Sequence, residues 1–418
     1  MASLHEFSIK VVGELVKSGN FSAALDLFEQ EIQPTSETLH IKATILGLLN
    51  HLFEAQLVLE KALALDSNNP LIMTDLADSM LKQGHISAAK LLLERAIQID
   101  PACGDAYFEL GLIEFNAESF QEALPFFDLA IVNLSRNSFP HTLKARTLMG
   151  LQEFSLAQES FNRALNINPN DLEAHFFLAD LYETMGERMN GLPHLEHILK
   201  INPAHILALQ MLSADYFELN RFSDALHLLK KLLALDTKNS ECRVRIAGCL
   251  FELGKYEMAA AAFDSIEKLN PKDIVAICLK GMCHVFLKAY SDAMTAFKRA
   301  SALDPNNFMP FQYMGIMFMQ MTRYAEAVKA FSKAIALSPD QPELYSSLGT
   351  SLAETQNFSE AIKAHEKACS LSSDMNYLFM LANTLRKSGD IQGAKAAYQV
   401  CIQENSQFKE ALTALNTL

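Results

Sequence analysis

His194 and His197 stand three residues apart in the run PHLEH. On a helix that spacing puts both imidazoles on one face, where they could share a metal ion. Zinc asks for a third and usually a fourth ligand. Only Glu196 and His205 are close in sequence, so packing or surface placement is the expected role. Cys278, Cys283 and His284 fall within one short stretch, and a thiol beside an imidazole is the start of a nucleophilic pair. His284 occupies a place where neighbouring segments carry Leu or Phe, which predicts partial burial rather than catalysis. Cys242 and Cys249 are seven apart and share a helix face, as soft packing groups do. No nucleophile elbow, dinucleotide-binding glycine pattern, phosphate-binding loop, metalloprotease or calcium-loop motif occurs. The chain is therefore expected to be no enzyme and to need no cofactor or metal.

Charge and cysteine content narrow the setting. The net charge of −14 argues against a general nucleic-acid binder, which needs a basic footprint. It equally disfavours docking on anionic lipid and favours a basic or amphipathic partner. Seven cysteines without a C-x-x-C pair fit reduced thiols and a cytoplasmic location. The opening residues MASLHEFSIK have no basic start or apolar core, so no secretory signal is expected. No apolar run approaches the length of a membrane span.

The elements that would carry any site announce themselves by a period. Pro101, Pro169, Pro203, Pro271, Pro305 and Pro339 are separated by 34 or 68 residues. The skipped marks fall at Ser135 and Thr237, and Asp or Asn often precedes the mark, as at Asp100, Asn168 and Asp304. In the same register run a column of small residues (Ala77, Gly111, Ala145, Ala247, Gly281, Gly315) and two columns of alanine (Ala89, Ala123, Ala157; Ala96, Ala130, Ala164). An aromatic column holds Phe120, Phe154, Phe222, Tyr256, Tyr290, Tyr324 and Phe358. Each period contains two apolar-periodic segments long enough for helices, split by a short turn that often holds Gly or Asn (Gly84, Gly186, Asn220, Gly254). Small residues let the paired helices approach. Proline at the boundary ends the second helix.

These columns resemble those of the tetratricopeptide repeat family over nearly the whole chain. Twelve units follow: 5–35, 36–69, 70–103, 104–137, 138–171, 172–205, 206–239, 240–273, 274–307, 308–341, 342–374 (one residue short) and 375–408, with 409–418 a capping or truncated helix. The resemblance implies an all-α, right-handed superhelical solenoid of antiparallel helix pairs, read here as one array over 1–418. First helices would line its concave side. A single pair buries too little to stand alone, so each unit needs its neighbours.

In such an array function is expected on the first-helix face, at the second, fifth, ninth, twelfth and thirteenth places of each unit. Those places hold Phe108, Leu112, Phe115, Phe217, Val244, Phe251, Val275, Met282, Val285, Phe286, Met309, Ile316 and Met319. Acids border them at Asp180, Glu183, Glu218, Glu252 and Glu354. Methionine and aromatic side chains pack adaptably at binding surfaces. The expected ligand is a protein or peptide, amphipathic or extended and of basic character. Homo-oligomeric self-association and a substrate-recruiting arm of a glycosyltransferase-type enzyme are the alternatives. The family's carboxylate clamp needs Lys and Asn at the fifth and ninth places, where this chain has Phe108 and Leu112, Phe176 and Asp180, or Gln312 and Ile316. Its asparagine ladder is absent too: the sixth place reads Asp75, Glu109, Leu143, Phe177, Met211 and Arg245.

Overall fold

A computed structural model describes residues 11–31, 34–404 and 408–417. Residues 5–10 and 32–33 of the first expected unit lie outside that set. Helix follows helix through the described residues, and no strand occurs among them. From Ser36 onward the helices come in pairs, such as Gly104–Asn116 with Phe120–Asn133 and Met309–Gln320 with Tyr324–Leu337. None of the described helices is long and apolar enough to cross a membrane.

The boundary residues act as the period implies. Most second helices end at the residue before an Asp or Asn, as Ile86–Ile99 ends before Asp100 and Phe154–Ile167 before Asn168; Leu134, Ser338 and Ser372 take that place elsewhere. The Asp100 carboxylate accepts from the backbone N–H of Ala102 at 2.9 Å, and Asp304 from that of Asn306 at 3.0 Å. These short side-chain-to-backbone turns bend the chain without helix. Several of the first helices are then capped by a carboxylate or amide. Asp171 accepts from Ala174 N–H at 3.1 Å and Asn239 from Cys242 N–H at 2.8 Å. Pro140 and Pro310 sit in the first helical turn, as expected. The short unit loses its residue here: only Ser372–Asp374 separate Phe358–Leu371 from Met375–Ser388.

Between the helices of each pair one residue takes the left-handed conformation. Glycine serves at Gly84, Gly186 and Gly254, but Asn50, Glu118, Gln152, Lys288, Thr322 and Gln356 do the same at φ of 57–64°. The turn geometry is therefore imposed by packing even where the residue type resists it.

The core is a repeated lock. The two alanine columns are fully enclosed, and the small-residue column faces a third row that sequence reading passed over: Leu93, Phe127, Phe161, Phe263, Phe297 and Phe331, all buried. A Cβ built on Gly315 would stand 2.6 Å from the Phe331 ring, and one on Gly281 2.5 Å from Phe297, so glycine makes room for the ring. His365 stands in this row over Gly349. It is 1% exposed and its Nδ1 finds no partner among the described residues. Burial pulls its pKa down to about 4.

Two compact units divide the chain, Met1–Ala208 and Leu209–Leu418. Within each, helices pack on their neighbours in sequence, as Gly104–Asn116 packs on Phe120–Asn133 and Pro342–Glu354 on Phe358–Leu371. First helices also touch the next first helix, as Ile274–Phe286 touches Met309–Gln320 and Pro70–Lys82 touches Gly104–Asn116. The last described helix, Lys409–Asn416, packs on Ile391–Glu404 and buries Ala411.

Candidate interaction surface

The chemical candidates resolve into packing. His175 and His194 meet through their Nδ1 atoms at 2.8 Å, and His175 Nε2 lies 3.0 Å from the carbonyl of Pro169. His197 stacks near His175 and lies 3.3 Å from the Asn170 side-chain oxygen. Burial and the neighbouring imidazoles depress the His194 pKa to about 4. No cluster of three metal-ligating side chains occurs among the described residues. Cys278 and Cys283 are enclosed, and burial pushes both thiols up to about 12, so neither is a thiolate at neutral pH. Cys242 and Cys249 are buried as expected.

The first-helix face of the Leu209–Leu418 unit has a different character. Val244, Val275 and Phe286 are exposed at 39%, 45% and 41%. Phe286 stacks on Tyr256 with centroids 4.6 Å apart and meets Phe251 edge-on at 5.5 Å. Phe251 meets Tyr256 edge-on as well, so the three rings form one ledge. Phe217 is half-buried against Phe222. Met309, Ile316 and Met319 are half-buried and rest on the cores below them. Met282 and Val285 differ from the expectation: at 5% and 3% exposed they belong to the core with Phe297 and Met317, and offer no surface to a partner. Met282, at the ninth place, is covered by the neighbouring first helix, and Val285, at the twelfth, is enclosed in the same core.

A gap in the seam between first helices stays open. Between the helices Ile206–Glu218, Ser240–Glu252 and Ile274–Phe286 lies a cavity of about 350 Å³. Phe217, Glu218, Val244, Arg245, Gly248 and Leu279 line it, over Phe263. Arg245 and Leu279 occupy the sixth place, which the expected face had left out. Gly248 is the one glycine at the ninth place of any unit from 36 onward, a signal visible in the sequence once that place is known to face the seam. Arg245 is already paired with Glu241 at 2.9 Å. Glu218 and Glu252 are exposed and have no ion-pair partner among the described residues.

In the Met1–Ala208 unit the expected apolar set is largely covered by its own chain. Phe108 leans on Phe127 at 6.2 Å and Phe115 on Phe120 at 5.7 Å. The Arg146 guanidinium then lies over the Phe115 and Phe177 rings at 5.0 and 4.1 Å and pairs with Glu173 at 2.7 Å. Leu112 is half-buried and lines a recess with Asp78, Lys82 and Glu109. Burial, with Asp78 nearby, raises the Glu109 pKa to about 7. Asp180 is half-buried and shifted upward by burial and Glu183. Glu183 lies 3.6 Å from Arg188, and in the second unit Glu354 pairs with Lys387.

Family models described as tetratricopeptide repeat match residues 74–138 and 142–187, 216–283, 274–307 and 377–407, and one described as TPR repeat matches 315–356. Among curated proteins none matches the chain. Among solved structures, yeast Tom70 is similar with a TM-score of 0.50 at 16% identity, covering 91% of this chain and 94% of that one. A tetratricopeptide repeat protein of Parabacteroides merdae ATCC 43184 has a TM-score of 0.49 at 18% identity, covering 59% of this chain and 98% of its own. The APC/C hetero-tetramer Cut9–Hcn1 has a TM-score of 0.44 at 16% identity, covering 98% of this chain and 89% of that one. At these identities the likeness is one of fold.

Proposed function

Because the chain belongs to the tetratricopeptide repeat family, we propose that it is a non-catalytic protein-interaction scaffold. Its docking surface is the first-helix face of the Leu209–Leu418 unit, and its ligand is an amphipathic or extended segment of another protein, apolar with positive charge. The observation that carries this reading is the conjunction of exposed Val244, Val275 and Phe286 with the unpaired acids Glu218 and Glu252. Apolar area supplies affinity, and the acids select for cations and steer the encounter. The buried thiols suit a reducing, cytoplasmic setting.

The test is affinity capture from extract of the source cells, with wild type and a Val275→Asp/Phe286→Asp variant run side by side. Both side chains are exposed, so the variant is expected to keep its helicity. Proteins retained by wild type and lost from the variant are the expected result. Identical sets would overturn the reading. Self-association uses the same exposed residues, and sedimentation over a hundred-fold concentration range separates it: a partner-binding scaffold stays monomeric.

A further inference from the structure

We propose that the seam cavity at Gly248 is a socket for one bulky apolar side chain of the partner segment, with a Lys or Arg of that segment meeting Glu218 and Glu252. The proposal rests on the docking face described above and adds what decides its specificity: the side chain that residue 248 lacks.

The reasoning begins with the ninth place. Where the next two units carry Met282 and Ile316 there, the side chain fills the seam between first helices. At Gly248 nothing fills it. The walls come from three successive first helices: Phe217 on one side, Leu279 on the other, and Val244 one turn before the glycine. Its volume of about 350 Å³ lies at the small end of the roughly 300–1,000 Å³ of ligand pockets, so it suits a single ring or long aliphatic chain. The lining is dominated by apolar carbon. An aromatic anchor in such a desolvated pocket is the usual centre of a binding hot spot.

Charge fixes the rest of the partner. Glu218 lines the socket, Glu252 stands at the same place of the next unit, and neither is neutralised among the described residues. Arg245 is the cation at the rim, and Glu241 holds it. The local excess is negative, so a cation beside the anchor gains and an acid is repelled. An apolar side chain next to Lys or Arg is therefore the selected motif.

Gly248 also makes the socket testable without disturbing the fold. A Cβ there would lie 3.7 Å from the Phe217 ring, an ordinary contact, and the glycine sits mid-helix at no unusual φ. Gly248→Leu should plug the socket, while Leu279→Ala should enlarge it.

The probe is a phage-displayed library of random dodecapeptides selected on the full chain, with enriched peptides resynthesised and their affinities read by fluorescence anisotropy. Expected are peptides with Phe, Trp, Leu or Met within a few residues of Lys or Arg. Gly248→Leu should weaken them at least 30-fold with an unchanged melting temperature, Glu218→Gln should weaken them three- to ten-fold, and Leu279→Ala should favour Trp over Leu at the anchor. Should Gly248→Leu melt early, the Leu279→Ala shift in anchor preference decides alone. Enrichment of acidic or anchor-free peptides, or of none, overturns the socket. Unchanged affinity with Gly248→Leu but loss with Val275→Asp overturns the socket and leaves the docking face standing. Unchanged affinity with both removes both.

Discussion

The two units carry the same repeat and treat the apolar places of their first helices differently. In Met1–Ala208 part of the first-helix face is covered by its own side chains, with Arg146 over Phe115 and Phe177 and Lys82 paired with Asp78, while Leu48, Leu71 and Phe139 stay exposed. In Leu209–Leu418 the corresponding places hold Val244, Val275 and Phe286 in the open and glycine at residue 248. The helix lock behind both faces is the same. A solenoid thus separates the residues that make it fold from those that make it bind, and a single place in the unit can change the surface without touching the stack.

The largest break in the comparison comes from the shared lock. Phe297→Ala should cost about 3–5 kcal/mol, because the ring is enclosed and its cavity cannot collapse. Hydrogen exchange should accelerate in Ile274–Phe286 and Tyr290–Leu303 while Pro70–Lys82 keeps its protection. Uniform loss throughout the chain would mean the array does not unfold by neighbourhoods.

Four titrating groups sharpen it next. His365, held near pKa 4 by burial, binds its proton more readily when unfolded, at about 6.5. Its unit is thus unpenalised above about pH 6.5 and loses up to about 3 kcal/mol as pH falls toward 4. His365→Phe, the residue of the row in neighbouring units, should flatten that acid slope in urea melts. His175 and His194 add an acid-side loss of the same sign to the other unit. Glu109 runs the other way. Its folded pKa of about 7 exceeds the ordinary carboxylate value, so stability is greatest at low pH and falls as pH rises from about 4.5 to 7. Glu109→Gln should recover about 2 kcal/mol at pH 8 and almost nothing at pH 4.

The smallest effect tests the cover directly. Arg146→Ala should cost about 1 kcal/mol through the lost stacking and ion pair. It should also raise binding of an environment-sensitive apolar dye at the Met1–Ala208 unit by uncovering Phe115 and Phe177. No added dye binding would mean that Phe115 and Phe177 are hidden by something other than the guanidinium.

Much of the fold was legible because its causes are local. Pro at the boundary, Asp or Asn before it and alanine at two fixed places each act within one helix pair, and the structure puts helix ends and buried alanines where those residues imply. The Phe127–Phe331 row was missed because apolar residues occur at many places of a buried helix, and only contact with the small-residue column distinguishes these. The surface was half legible. Val275 and Phe286 are as open as expected, while Met282 and Val285 are core and Arg245 and Leu279 face the cavity.

Sequence by itself determined the period, the helix pairs and the acidic character of the chain, since propensity, turn chemistry and charge are properties of short stretches. Tertiary structure alone decided which side chains on the first-helix face remain available. Availability depends on what the next unit places in the seam, and a neighbour's Met or Arg can fill or cover a site that its own unit leaves open.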